Sequence, residues 1–228
     1  MNSLVVQNNP KSPSAEAYRT LRTNIQFSFT DRDIKTLLVT SPGAGEGKSS
    51  TAANLAITMS QTGKKVLLID CDMRRPNVHK MFNIPDQAGL TNLLREEINF
   101  ERAAYKYTSN LHILICGTTP PNPSEILASQ RMGKFLQEAA EEYDFIILDT
   151  PPVIAVTDAQ ILSTKVEGVL MVINSSVSPI EACKKAQNLL KAVNANVIGV
   201  VLNKVKKKKG SYYGYYNYYG EDSKHTSR

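Results

Sequence analysis

Apolar residues in this chain fall into two kinds of run. Short, nearly unbroken ones recur at KTLLVTS (35–41), KKVLLID (64–70), LHILIC (111–116), YDFIILD (143–149), GVLMVIN (168–174) and NVIGVVLN (196–203). Each has the length of a strand. Between them lie longer stretches with apolar residues three and four apart. SAEAYRTLRTNIQFSF (14–29) reads as an amphipathic helix, with Ser14 as N-cap and Tyr18, Leu21, Ile25 and Phe29 on one face. SSTAANLAITMSQTG (49–63) reads as a helix closing at Gly63, and residues 124–142, 157–166 and 178–194 fit further helices. Strands that are apolar throughout, not alternating, suit a parallel sheet covered on both faces. The expected architecture is an open, doubly wound α/β domain without internal repeats. Residues 1–30 form its N-terminal segment and first helix, 31–204 its core, and 205–228 a Lys/Tyr-rich flexible tail.

Composition narrows the class. With 228 residues, 42% of them hydrophobic, the chain can bury a sizeable core in one domain. No run approaches the roughly 18 apolar residues of a membrane span. The first twenty residues lack a charged-then-apolar leader pattern, so a cytoplasmic protein is expected. Cys71, Cys116 and Cys183 lie in apolar surroundings without metal-ligand spacing, which predicts buried, reduced thiols. The net charge of +6 is concentrated: Lys204 and Lys206–Lys209 carry five positive charges and leave the body near neutral. A nucleic-acid module built on those lysines and stacking tyrosines is therefore disfavoured.

The first strand runs into TSPGAGEGKSS (40–50), and a helix follows at once. Strand, glycine-rich loop and helix in that order make a phosphate-binding P-loop. Gly43, Ala44, Gly45, Glu46, Gly47, Lys48, Ser49 and Ser50 are its candidate nucleotide-binding residues. The glycines let backbone N–H groups approach phosphate, Lys48 sets a cation against the β- and γ-phosphates, and the Ser49 hydroxyl can ligate Mg²⁺. Pro42 stands where the general pattern has glycine, so the loop is a deviant version. Two more strands end in acid. Asp149 closes DFIILD, and Asp70 and Asp72 close LLIDCD. Residues i and i+2 of a strand share a side, so Asp70 and Asp72 can face one site, where a cation would relieve their repulsion. As an alternative, these acids cap the turn that follows.

Taken together, TSPGAGEGKSS, LLIDCDMRRP and IILDTPP resemble the Walker A, Walker A′ and Walker B motifs of the bacterial protein-tyrosine kinases of capsule and exopolysaccharide synthesis. The likeness covers almost the whole chain. Glu16, Arg19 and Arg22 match the family's E-x-x-R-x-x-R helix, and TTPPNPSEIL (118–127), TPPVIAVTDAQ (150–160) and the tyrosine-rich end complete it. The resemblance implies a P-loop NTPase fold of the partition-ATPase superfamily and an autokinase using ATP and Mg²⁺. Lys48, Asp70, Asp72 and Asp149 are its catalytic residues. Ser49, Asp72 and Asp149 hold the metal, Asp70 receives the tyrosine proton, and Asn203 contacts the adenine. Tyr212, Tyr213, Tyr215, Tyr216, Tyr218 and Tyr219 become the phosphoacceptors. Glu16, Arg19 and Arg22 become the contact that closes a ring of identical subunits, an octamer in the family. As a local alternative, the three form a surface ion pair on their own helix. The resemblance also implies a membrane-anchored activator of the polysaccharide co-polymerase type, which recruits the chain to the inner face of the plasma membrane, and a cognate tyrosine phosphatase. The competing expectation is a partition or cell-division switch ATPase. Those enzymes carry a signature lysine where this chain has Gly43, and they have no use for clustered tyrosines.

Overall fold

The computed structural model describes residues 4–28 and 34–206. The six tail tyrosines and Phe29 lie outside the described residues. Among the described residues seven strands form one sheet: β1 Thr36–Thr40, β2 Val66–Asp70, β3 Ala104–Lys106, β4 Leu111–Leu114, β5 Phe145–Asp149, β6 Gly168–Asn174 and β7 Val197–Asn203. Their order is β3-β4-β2-β5-β1-β6-β7. All neighbours run parallel except β3, which pairs antiparallel with β4. The six strands expected from the sequence are present. The three-residue β3 is too short to leave a periodic signal. Every residue of β1, β2 and β5 is buried, which is why those strands lack alternation.

Helices cover both faces. On one side, α1 (Val5–Asn8) and α2 (Pro13–Phe27) pack over α3 (Lys48–Ser60), joined by α4 (Val78–Met81). The other face carries α5 (Leu90–Leu94), α6 (Phe100–Ala103), α7 (Pro123–Ala128), α8 (Gln130–Glu142), α9 (Asp158–Ser163) and α10 (Ile180–Ala192). Helix α3 is buried from Thr51 to Ser60, between the sheet and the outer pair α1 and α2. Its small residues Ala52, Ala53 and Ala56 permit that double contact. The buried Asn54 accepts the Val6 N–H at 3.0 Å and so ties α1 to it. Among the described residues no helix is long and apolar enough to cross a membrane.

Three expectations are corrected. Helix α2 begins earlier than predicted. Ser12, not Ser14, is the N-cap, its hydroxyl accepting the Ala15 N–H at 3.2 Å. Pro13 at the first helical position favours this start, because it has no N–H to leave unpaired and its φ is already helical. The stretch 124–142 is two helices, not one. The chain turns extended at Ser129, whose hydroxyl accepts the Met132 N–H and caps α8. Cys183 is half-buried, whereas Cys71 and Cys116 are buried as expected; all three are free thiols.

Replacing Ser12 by Ala should therefore lower the unfolding free energy by about 1 kcal/mol, and replacing Ser14 by Ala should change it by less than about 0.5 kcal/mol. Urea titrations of both variants check the assignment; equal losses would refute it.

Candidate functional site

The strand order sends the chain from β1 past β5 to β2, and later from β5 past β1 to β6. Such a reversal opens a crevice at the carboxyl edge of the sheet. Residues 41–47 bridge β1 and α3 in that crevice. Gly45 and Gly47 adopt φ of 74° and 99°, a region that glycine enters without strain. At Gly47 a Cβ would also displace the Asn203 side chain, since it would lie 2.0 Å from Asn203 Nδ2.

The loop's outer side is held by side chains. Glu46 turns its buried carboxylate inward. One oxygen accepts the Gly43 N–H at 2.7 Å; the other accepts the Asn174 N–H at 2.9 Å and the Ser178 hydroxyl at 2.7 Å. What Glu46 can offer a phosphate is therefore its backbone, and the Gly43 N–H is already engaged. From the end of β7, Asn203 Nδ2 donates to the Glu46 carbonyl at 2.9 Å, and Lys204 Nζ to the Gly45 carbonyl at 2.9 Å. Ala44 is exposed, and Ser50 lends its carbonyl to Asn54 within α3.

Lys48 and Ser49 open α3, where the positive end of the helix favours anions. Across the crevice Asp70 and Asp149 are register partners on β2 and β5, and both are fully buried. Lys48 Nζ lies 2.8 Å from Asp72 Oδ2, 3.7 Å from Asp149 Oδ1 and 3.3 Å from Ser49 Oγ. Burial alone would lower the Lys48 pKa, but the charges of Asp149, then Asp72 and Asp70, outweigh it and leave the ammonium above its ordinary value. Burial raises the Asp70 carboxyl and the Asp149 charge adds to it, while the N–H groups of Val78 and Asn77 pull the other way. Burial likewise raises Asp149 against the opposing charge of Lys48.

The two acids of the second strand differ in their bonding. Asp70 Oδ2 accepts the N–H groups of Asn77 and Val78, both at 3.0 Å, and Oδ1 accepts that of Asp72 at 3.2 Å. It caps the turn into α4, so the capping alternative describes Asp70 while leaving it in the crevice. Asp72 pairs with Lys48 and accepts the Arg75 N–H at 3.0 Å. Asp149 contrasts with both: among the described residues neither of its buried oxygens has a hydrogen-bond partner. An orphaned carboxylate beside Asp72 and the Ser49 hydroxyl is a hard, all-oxygen donor set that fits Mg²⁺. No three His, Cys, Asp or Glu side chains gather as a metal cage among the described residues. Mg²⁺ in phosphoryl transfer needs none, since it takes one or two carboxylates plus substrate oxygens.

A further network had no assignment from the sequence. Arg74 grips the fully buried Asp158 through Nε at 2.9 Å and Nη2 at 3.1 Å, and Ser124 Oγ donates to the same carboxylate at 2.7 Å. These bonds tie the turn after β2 to the first turns of α7 and α9 at the crevice rim. No sequence signal joined the pair, because the two residues stand 84 positions apart and the burial of Asp158, which makes a cationic partner necessary, shows only in the fold. Glu16, Arg19 and Arg22 stand away from the crevice on α2. Glu16 and Arg19 pair on their own helix, Arg19 also donates to the Pro10 carbonyl, and Arg22 donates to the Thr58 carbonyl at 3.2 Å.

Comparisons with known proteins agree with this geometry. Residues 33–225 match the ParA family model, described as NUBPL iron-transfer P-loop NTPase. The tyrosine-protein kinase YwqD of Bacillus subtilis is 43% identical over 215 residues, 94% of this chain and 91% of that protein. The putative tyrosine-protein kinase CapB of Staphylococcus aureus is 41% identical over 97% of both chains. The crystal structure of the chimerical protein CapA2B2 superposes with a TM-score of 0.86 at 39% identity, covering 91% of this chain and 92% of that one. A parallel sheet with this P-loop and these edge acids, matched end to end by such relatives, means that the chain belongs to the bacterial tyrosine-protein kinases, within the ParA-type P-loop NTPases.

Proposed function

We propose that this chain transfers the γ-phosphoryl group of ATP to tyrosines of its own C-terminal tail, Tyr212, Tyr213, Tyr215, Tyr216, Tyr218 and Tyr219, in the control of capsular or exopolysaccharide synthesis. One observation carries the reading. The edge that gathers Lys48, Asp70, Asp72 and Asp149 is also the edge at which β7 ends and the tyrosine-bearing segment departs. Tyr212 follows Asn203 by only nine residues in sequence, so the proposed substrates are joined to the chain at the edge that carries the site.

In this reading, backbone N–H groups of the loop and the N-terminus of α3 cradle the phosphates, and Lys48 leaves Asp72 to neutralise them. Ser49, Asp72 and Asp149 would hold Mg²⁺, which when bound supplies charge neutralisation to the phosphoryl oxygens. Asp70 accepts the tyrosine proton. Its three backbone donors fix its orientation and leave about one lone pair free. Burial has already moved it towards the phenol's range, and a loose transition state asks for little proton transfer before the phosphoryl group moves. Asn203 stands against the loop, where it can border the base. Glu16, Arg19 and Arg22 serve ring assembly, so that one subunit's tail enters its neighbour's site. A membrane-anchored activator recruits the ring, and a tyrosine phosphatase resets it. Each phosphate adds about −1.5 to −2 charge, so four would overturn the chain's net +6.

Incubation with ATP and Mg²⁺ followed by phosphosite mapping should place phosphate on the tail tyrosines, and Lys48→Met should reduce the yield at least a hundredfold. ATP hydrolysis without phosphotyrosine would favour the switch-ATPase reading instead. A second outcome concerns charge. Asp70 and Asp149 have raised folded-state pKa values, so their contribution to stability is full below about pH 4 and is lost as pH rises through those values. Asp149→Asn, which removes the buried charge and with it the 3.7 Å pairing to Lys48, should flatten the loss of nucleotide-free stability between about pH 4 and pH 8 while abolishing activity. Urea titrations across that range check it; a wild-type pH slope in the variant would contradict the ascribed titration of Asp149. Finally, Glu16→Ala with Arg19→Ala, which spares the Arg22–Thr58 bond, should convert an oligomer to monomer by light scattering; an intact oligomer excludes those residues from the contact.

A further inference from the structure

Backbone N–H groups hold phosphate only when they face it, and peptide planes flanked by glycine turn over easily. A trans peptide is planar, so the C=O of one residue and the N–H of the next point in opposite directions. Any donor that fixes a carbonyl from one side therefore aims the following N–H to the other. Three planes of the loop are fixed in this way. Ser41 Oγ holds the Gly43 carbonyl at 2.6 Å and aims the Ala44 N–H. Asn203 Nδ2 holds the Glu46 carbonyl and aims the Gly47 N–H. Lys204 Nζ holds the Gly45 carbonyl and aims the Glu46 N–H. The order β2-β5-β1-β6-β7 puts β7 and the acid-bearing strands on opposite sides of the loop. Donors arriving from β7 therefore turn the loop's N–H groups towards Lys48 and the acids.

We propose that Lys204 is a positioning residue of this kinase: its ammonium locks the Gly45–Glu46 peptide so that the Glu46 N–H faces the bound phosphates. The proposal rests on the reading of residues 41–50 as the phosphate cradle. Lys204 adopts φ of 55°, a left-handed conformation that non-glycine residues seldom take. Its own N–H donates to Asn203 Oδ1 at 2.8 Å, and its carbonyl accepts the Ser176 hydroxyl at 3.2 Å. That turn brings the side chain back over the loop, where an extended continuation of β7 would carry it away. The brace is closed by Glu46, whose carboxylate is bound to Asn174 and Ser178 beside the same turn. Because the tail begins at the next residue, the cradle and the root of the tail share one support.

The test compares ADP with AMP, whose affinities differ by the contacts of the β-phosphate. Binding of fluorescent ADP and AMP analogues is measured by titration for wild type, Lys204→Met, Lys204→Arg and Lys48→Met. Lys204→Met should lose about five- to twentyfold in ADP affinity with AMP changed less than about twofold. Lys204→Arg, which keeps the donor, should return to within about threefold of wild type. The Lys204→Met deficit should persist at about 0.5 M salt, where a general attraction of the exposed ammonium for phosphate would be screened. Equal ADP affinity in Lys204→Met and wild type, equal losses for ADP and AMP, or a deficit erased by salt would each overturn the proposal. If Lys48→Met also binds ADP like wild type, the cradle reading itself has failed; if only Lys48→Met is impaired, the cradle stands and Lys204 has no part in aiming it. Should the Lys204 variants fold poorly, Ser41→Ala removes a clamp of the same kind and should compress the ADP-to-AMP ratio in the same direction; an unchanged ratio there counts against the aiming mechanism.

Discussion

Two buried carboxylates side by side on neighbouring strands are the constraint around which this protein is arranged. Parallel pairing of β2 with β5 puts Asp70 opposite Asp149, both fully buried, where their charges are poorly screened. A fold selected for stability alone would place apolar residues there, as it does at every other position of those two strands. The neighbourhood responds in three ways. Lys48 arrives from the start of α3 to share its charge between Asp72 and Asp149. Backbone N–H groups from the turn into α4 absorb the charge of Asp70. Asp149 receives no hydrogen bond among the described residues and keeps the largest unmet demand for a cation. The site is thus strained electrostatically in a direction that Mg²⁺ and nucleotide relieve.

A second constraint is mechanical. A glycine-rich loop is free to approach phosphate because it has little structure of its own, so its shape must be imposed by neighbours. Glu46 secures it to the connection between β6 and α10, and the last residues of β7 secure it from outside. On the opposite rim, Asp158 at the start of α9 gathers Arg74 from the turn after β2 and Ser124 from the start of α7. The braces at Glu46 and Asp158 each use a buried carboxylate as hub. A buried carboxylate without partners is so unfavourable that it holds several donors firmly, which suits the task of fixing otherwise irregular segments.

The sheet was legible in the sequence because buried parallel strands leave unbroken apolar runs, and the crevice was legible because a P-loop and strand-end acids are local in sequence. What was not legible follows from the same distinction. Strand β3 has three residues, below the length at which periodicity says anything. The break at Ser129 depends on a hydroxyl cap within a stretch whose apolar spacing continues across it. Pro13 displaced the helix start from Ser14 to Ser12, a competition between two adjacent cap candidates that the residue at the first helical position decides. Glu46 was read as part of the nucleotide site by its place in the motif, yet its side chain serves a contact more than 120 residues away in sequence. Lys204 was read only as one charge in a basic run. Its role emerges from a left-handed turn that no propensity reveals, and the same holds for the Arg74–Asp158 pair, which spans 84 residues.

The brace at Glu46 also bears on how this loop differs from those of switch ATPases with the same sheet. Partition-type enzymes carry a signature lysine at the position occupied here by Gly43, and that lysine reaches across a dimer. A Cβ built at Gly43 would stand 3.1 Å from Glu46 Oε1, tighter than ordinary packing. A side chain there requires the Glu46 carboxylate to give by a few tenths of an ångström. That carboxylate is buried and bound to three donors, two of them outside the loop, so the shift would strain the bonds that tie the loop to β6. A side chain at position 43 therefore presses on the brace that an inward-facing glutamate at position 46 provides. This chain has the glutamate, and its loop is stiffened from within its own subunit instead of being completed by a lysine from a partner.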